Sequence, residues 1–184
     1  MDQRSNSRLS LFLMELIVAI MFFSLSAAVC VRLFSSAHFM SENTKNMSNA
    51  TVWTQNLAET FESEKGDLSA IAKFYPEAYI TYDHADTSMR SGAIVLFFDS
   101  NWDRIDSLPD ASYVAYLSIT TKDASEVYKD VTDYNVALVG KAAVGDIAVL
   151  DIRGIEDFSP DAVVEQERYI MSFSVDTYLG KEAY

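Results

Sequence analysis

The sequence predicts an α+β fold: a long N-terminal helix, half membrane-type and half amphipathic, with a small β-sheet. Three observations predict it. Residues 11–31 are apolar apart from serines and one carboxylate, Glu15. No proline or glycine interrupts residues 32–64. Beyond them come about five segments rich in β-branched and aromatic residues, set apart by turn formers.

The first half of the helix is long enough to span a bilayer. About 21 residues at roughly 1.5 Å of rise give about 30 Å, the thickness of a bilayer core. A charge inside such a segment costs about 3 kcal/mol on insertion scales, which makes Glu15 a candidate for function. In the second half Ala37, Met40, Thr44, Met47, Thr51, Thr54, Ala58 and Phe61 recur at steps of three and four and share a face. This stripe predicts that Met40, Met47 and Phe61 touch the folded domain. Threonine replaces larger residues in it, so this half needs a packing partner to be stable. Gly66 is the expected stop.

Asp67 is placed to cap a short second helix that Pro76 ends. Strand patterns follow over residues 78–82, 92–98, 112–121, 143–153 and 168–179. The run GAIVLFF at 92–98 reads as buried, and Tyr113, Ala115, Leu117 and Ile119 share one face of the next strand. Between them and residue 143, Val127, Val131, Tyr134 and Leu138 recur at helical spacing ahead of Gly140, which predicts an inserted helix over 123–139. The expected organisation is a leader over 1–10, a membrane half over 11–31, an amphipathic half over 32–64 and an α+β domain over 65–184. One face of the sheet should pack on the amphipathic half of the helix.

The chain of 184 residues carries a formal net charge of −13. Through Met40 there are Arg4, Arg8 and Arg32 against Asp2 and Glu15, so 11 of the 14 basic and 25 of the 27 acidic residues lie beyond. That balance argues against direct nucleic acid binding, which needs a basic patch. Arg4 and Arg8 before the apolar run put the N-terminus in the cytoplasm and the acidic domain outside, although Arg32 reduces the contrast. A cleaved secretory signal ending near Ala28 is the competing reading, and Glu15 within its apolar region argues against it. The single cysteine, Cys30, lies in the apolar segment, so no disulfide can form within the domain.

The residues Ser10-Leu11-Phe12-Leu13-Met14-Glu15-Leu16-Ile17-Val18 carry a resemblance. They resemble the start of a type IV pilin or pseudopilin, a bacterial family whose basic leader ends at a small residue ahead of an apolar helix. In that family a prepilin peptidase cuts after the leader, and the fifth mature residue is glutamate. The resemblance implies a processing site between Ser10 and Leu11, with Glu15 as the fifth mature residue. Ser10 stands where the family usually has glycine. The motif spans only about the first 25 residues. It implies the layout of a long N-terminal helix packed on a small, mainly antiparallel β-sheet, in a structural subunit that polymerises through that helix. Glu15 would then pair with the N-terminal amine of a neighbouring subunit. The partners it implies are other pilin-like subunits, the peptidase and an inner-membrane assembly platform. Secretion, DNA uptake, adhesion and motility all remain open. The alternative is a single-pass anchored binding module, outside the cytoplasm, that does not polymerise.

No catalytic constellation occurs in the sequence, and no cofactor is expected. His38 and His84 are the only histidines and lie far apart along the chain. There is no glycine-rich phosphate loop, nucleophile elbow or paired-cysteine metal motif. The segment from Asp99 to Asp110 echoes a calcium loop, with Asp99, Asn101, Asp103 and Asp110 at the ligand steps. Arg104 occupies the place of the turn glycine, and a solvated turn is the preferred reading. Trp53 and Trp102 are expected to be packing residues.

Overall fold

The computed structural model describes residues 3–84, 88–129, 138–155 and 168–181. Helix α1 spans Gln3–Ser63 without a break. It begins before Leu11, because nothing in the leader-like residues stops a helix. Then come α2 (Leu68–Ile71) with a 3₁₀ turn (Ala72–Phe74), β1 (Tyr79–Tyr82), β2 (Gly92–Phe98), β3 (Arg104–Ile105), β4 (Tyr113–Asp123), α3 (Ala124–Val127), β5 (Lys141–Asp151) and β6 (Tyr169–Gly180). The inserted helix is seen only as α3, and Val131 and Tyr134 lie outside the described residues.

The chain forms two compact units, residues 1–45 and 46–184. The first is helix alone. Its apolar side chains are uncovered: Phe23 and Phe34 are 77% and 80% exposed. By length and composition α1 is the one described helix that could cross a membrane.

The second unit is a six-stranded antiparallel sheet with the last turns of α1 against one face. The strand order is β1-β2-β4-β5-β6. Because β4 takes one whole edge of β2, β1 and β3 share the other edge in succession. β3 is two residues long and carries no pattern that periodicity could detect. The sheet is apolar on both faces, more than the single packed face expected. Ile94, Leu96 and Phe98 lie with Tyr113, Leu117 and Ile147 on the helix side. Val95, Phe97, Val114 and Leu150 form a second cluster on the other, beside Ile105 of β3 and Leu108 and Ile155 from the loops.

The helix meets the sheet through Asn46, Ala50, Thr54, Leu57 and Phe61. Phe61 and Thr54 belong to the predicted stripe. Met47 is not part of that core and is 50% exposed, and Met40, in the first unit, is 66% exposed. The buried row begins at Asn46, one residue before Met47, and coincides with the predicted stripe only at Thr54 and Phe61. A polar residue leads that row, so a search for apolar periodicity selects the neighbouring face. Thr44 and Thr51 instead donate their hydroxyls to Met40 O and Met47 O, both at 2.8 Å, as exposed helical threonines do.

The end of α1 is tightly built. Gly66 N–H donates to Phe61 O at 2.9 Å and Lys65 N–H to Glu62 O at 3.2 Å, the paired bonds of a Schellman cap. Lys65 (φ 51°) and Gly66 (φ 65°) are both left-handed. Gly66 thus lies one position beyond the usual capping glycine. A β-carbon on Gly66 would sit 2.5 Å from Ala143 Cβ and 2.9 Å from Phe61 Cε2, so the close approach of cap to sheet requires glycine. Asp67 then caps α2, as its position predicted, accepting from Ser69 N at 3.0 Å and Ala70 N at 3.3 Å.

Candidate functional site

Three groups of residues bear on function: the processing and assembly candidates on α1, the acidic loop, and a polar and aromatic cluster where the helix docks.

Ser10, Leu11 and Glu15 all lie on α1 and are exposed. Helical spacing puts Leu11 and Phe12 one turn before Glu15, and Val18 and Ala19 one turn after it. The carboxylate therefore stands in an apolar belt. No salt bridge among the described residues includes it. The Ser10–Leu11 peptide bond is inside a helical turn, so a protease can reach it only after that turn opens.

The acidic loop is a turn held by Asp99. Its Oδ1 accepts from Asn101 N at 2.8 Å and Asp103 N at 2.9 Å, while its backbone N–H donates to Asp103 O at 3.0 Å. The amide of Asp103, with smaller help from Asn101, holds the Asp99 carboxyl below its ordinary value of 3.8. Asp110 accepts separately from Ser107 Oγ at 3.2 Å. Asp99, Asn101, Asp103 and Asp110 are thus not drawn together as ligands. Among the described residues no three His, Cys, Asp or Glu side chains gather where a metal could be held.

What the turn does is aim a tryptophan. Trp102 is left-handed (φ 73°), a conformation that bulky residues rarely adopt. Its indole is buried and donates from Nε1 to Asn46 Oδ1 at 3.1 Å. Tyr113 donates its hydroxyl to the same oxygen at 3.2 Å. The two rings stack with centroids 4.3 Å apart. Phe98 joins them at 5.7 Å from Trp102, and half-buried Trp53 lies 4.8 Å from Phe98. At the far end the Arg153 guanidinium sits 5.2 Å above the Tyr113 ring. Arg153 is fixed in turn by Asp151, with Nη2 to Oδ2 at 2.6 Å. Burial pushes the Asp151 carboxyl up, but the hydrogen bonds and charge of Arg153 outweigh it and hold the group below its ordinary value.

The sequence identified both tryptophans as packing residues. It gave no sign of Asn46, because a lone asparagine within a helix looks like a surface residue until its partners are known. The cluster contains no nucleophile paired with a base. Its chemistry is that of a satisfied buried polar centre in an apolar interface. No protein-family model matches the chain, and no curated protein or solved structure matches it either.

Proposed function

We propose that this chain is a structural, non-catalytic subunit of a type IV pilus-like or type II secretion-like filament, assembling through α1. One observation carries the reading. Glu15 stands five residues into an exposed apolar segment starting at Leu11, on a helix that runs unbroken to Ser63. In this reading the N-terminus is cytoplasmic and the acidic domain is outside. A prepilin peptidase removes residues 1–10. The amine of Leu11 then pairs with Glu15 of a neighbouring subunit when both leave water, because an unpaired buried charge costs several kcal/mol. Only one axial offset brings those groups together, so the pair selects the register of an incoming subunit.

Mass spectrometry of the N-terminus, from cells with and without a prepilin peptidase, tests the reading. The expected N-terminus is Leu11 when the peptidase is present. Met1 in both strains would instead leave a single-pass anchored module. Ser10→Gly should raise the processed fraction, since glycine weakens the helical turn around the bond by about 1 kcal/mol. Glu15→Val should insert and be cleaved as before, yet be recovered less with its partner subunits. Recovery at the wild-type level would remove the pairing role.

A further inference from the structure

The docked part of α1 is held unequally along its length. At its C-terminal end Leu57 and Phe61 are fully buried. Phe61 fits a gap that only glycine leaves: a β-carbon on Gly145 of β5 would lie 2.9 Å from its Cε2. The buried Tyr75 adds a clamp, its hydroxyl 3.0 Å from Thr60 Oγ1 and donating to Asn56 O at 3.4 Å. The Schellman cap closes that end.

The N-terminal end lacks these features. Its fully covered side chains are Asn46, Ala50 and Thr54, small or polar, and Trp53 packs half-buried on Phe98. Asn46 supplies the hydrogen bonds there, from Trp102 and Tyr113. The buried hydroxyl of Thr54 has no partner among the described residues. It differs in this from Thr44, Thr51 and Thr60, which all bond a backbone carbonyl one turn back. Trp102 keeps a left-handed backbone while its indole reaches Asn46.

We propose that residues 46–54 of α1 form a latch that undocks from the sheet as a unit while Leu57 and Phe61 stay seated. Undocking gives up the contact of Trp53 with Phe98 but leaves Leu57 and Phe61 covered, so it loses less apolar area than unfolding does. It returns the Thr54 hydroxyl and the Asn46 amide to water, and it frees Trp102 to leave the left-handed region. Asn46 is the catch, a positioning residue whose loss frees the first turns and not the last. The newly uncovered surface is the aromatic row of Phe98, Trp102 and Tyr113. The latch does not depend on the filament reading.

The experiment uses the full chain in detergent, with Cys30→Ser to remove the native thiol. Ala50→Cys reports the latch. Ala143→Cys, on β5 beside Phe61 and Gly66, reports the seated end. The rate of modification by a small thiol reagent is followed against urea. Residue 50 should react about tenfold or more faster than residue 143, with a shallow urea dependence, because local opening exposes less surface than global unfolding. Adding Asn46→Ala should speed residue 50 further, while its urea dependence stays shallow and that of residue 143 stays steep. Tyr113→Phe removes one of the two bonds without altering the helix, and should give a smaller change in the same direction. It replaces Asn46→Ala if that variant does not fold. Equal rates at the two positions overturn the proposal, as does a urea dependence as steep at residue 50 as at residue 143.

Discussion

Residues 11–45 and 46–63 belong to one helix, yet they differ in a way that composition hides. The first stretch is the more apolar, and its large side chains are uncovered: Phe23, Phe34 and Phe39 are all exposed. The second is mostly polar, with Asn46, Asn49, Thr54, Asn56 and Glu59 among its members, and it holds the docked face. Apolar content and core contact are therefore separate properties of this helix. What docks residues 46–63 is fit. Phe61 occupies the space above Gly145, and Asn46 meets two donors that need an acceptor. What marks residues 11–31 is an exposed apolar surface on a helix long and apolar enough to cross a membrane.

The comparison can be broken most strongly at Phe61. Phe61→Ala in the full chain should lower the unfolding free energy of the domain by about 3–5 kcal/mol, measured by chemical denaturation, since it empties a fully buried site. Phe23→Ala, in the uncovered stretch, should leave that transition where it was. If both shift it equally, the first stretch is packed after all. Gly145→Ala tests the fit from the other side. The added carbon meets Phe61 Cε2 at 2.9 Å and Leu117 Cδ1 at 3.0 Å. It should cost about 1–3 kcal/mol, as overpacking of a filled core does.

A finer test compares adjacent residues. Asn46→Ala leaves two buried donors without an acceptor and should cost about 1–3 kcal/mol. Met47→Gln, one position along but half exposed, should change stability by no more than about 0.5 kcal/mol. A larger cost at Met47 would restore the docked face predicted from periodicity.

The smallest effect concerns the turn that aims Trp102. The folded-state value of Asp99 is lowered, so its stabilising bonds are fully present above the unfolded value, near 3.8. They are lost as pH falls through the lower folded value. Tryptophan emission in Asp99 and Asp99→Asn chains, followed from pH 5 downward, checks this. The wild type should show an acid-dependent step below about pH 3.8 that Asn removes, because a neutral amide oxygen still accepts both backbone N–H groups. A step unchanged in Asp99→Asn would assign the titration to another carboxylate.

The local signals were legible where one property set the outcome. The run 92–98 became β2 with the same ends, because a run that must be buried on both faces has little else it can be. Asp67 capped α2 and glycine marked the end of α1, because capping depends on a few neighbouring atoms. The turn reading of residues 99–103 also rested on local bonds. β3 escaped notice because pairing with Phe97 and Phe98, and no intrinsic preference, makes Arg104 and Ile105 a strand.

The sequence by itself determined an unbroken helix of membrane-spanning length, a sheet after it and the position of Glu15. Each follows from period, breaker residues or run length, which act between near neighbours along the chain. Only the tertiary structure decided which face of α1 docks and where docking begins. Those depend on Gly145, Trp102 and Tyr113, residues 84, 56 and 67 positions from the helical partners they meet. Asn46 is polar in sequence and buried in the fold because its carbonyl oxygen finds two donors. Hydrogen bonding across that separation can override the hydrophobic pattern of a helix by one residue, and one residue is enough to change its buried face.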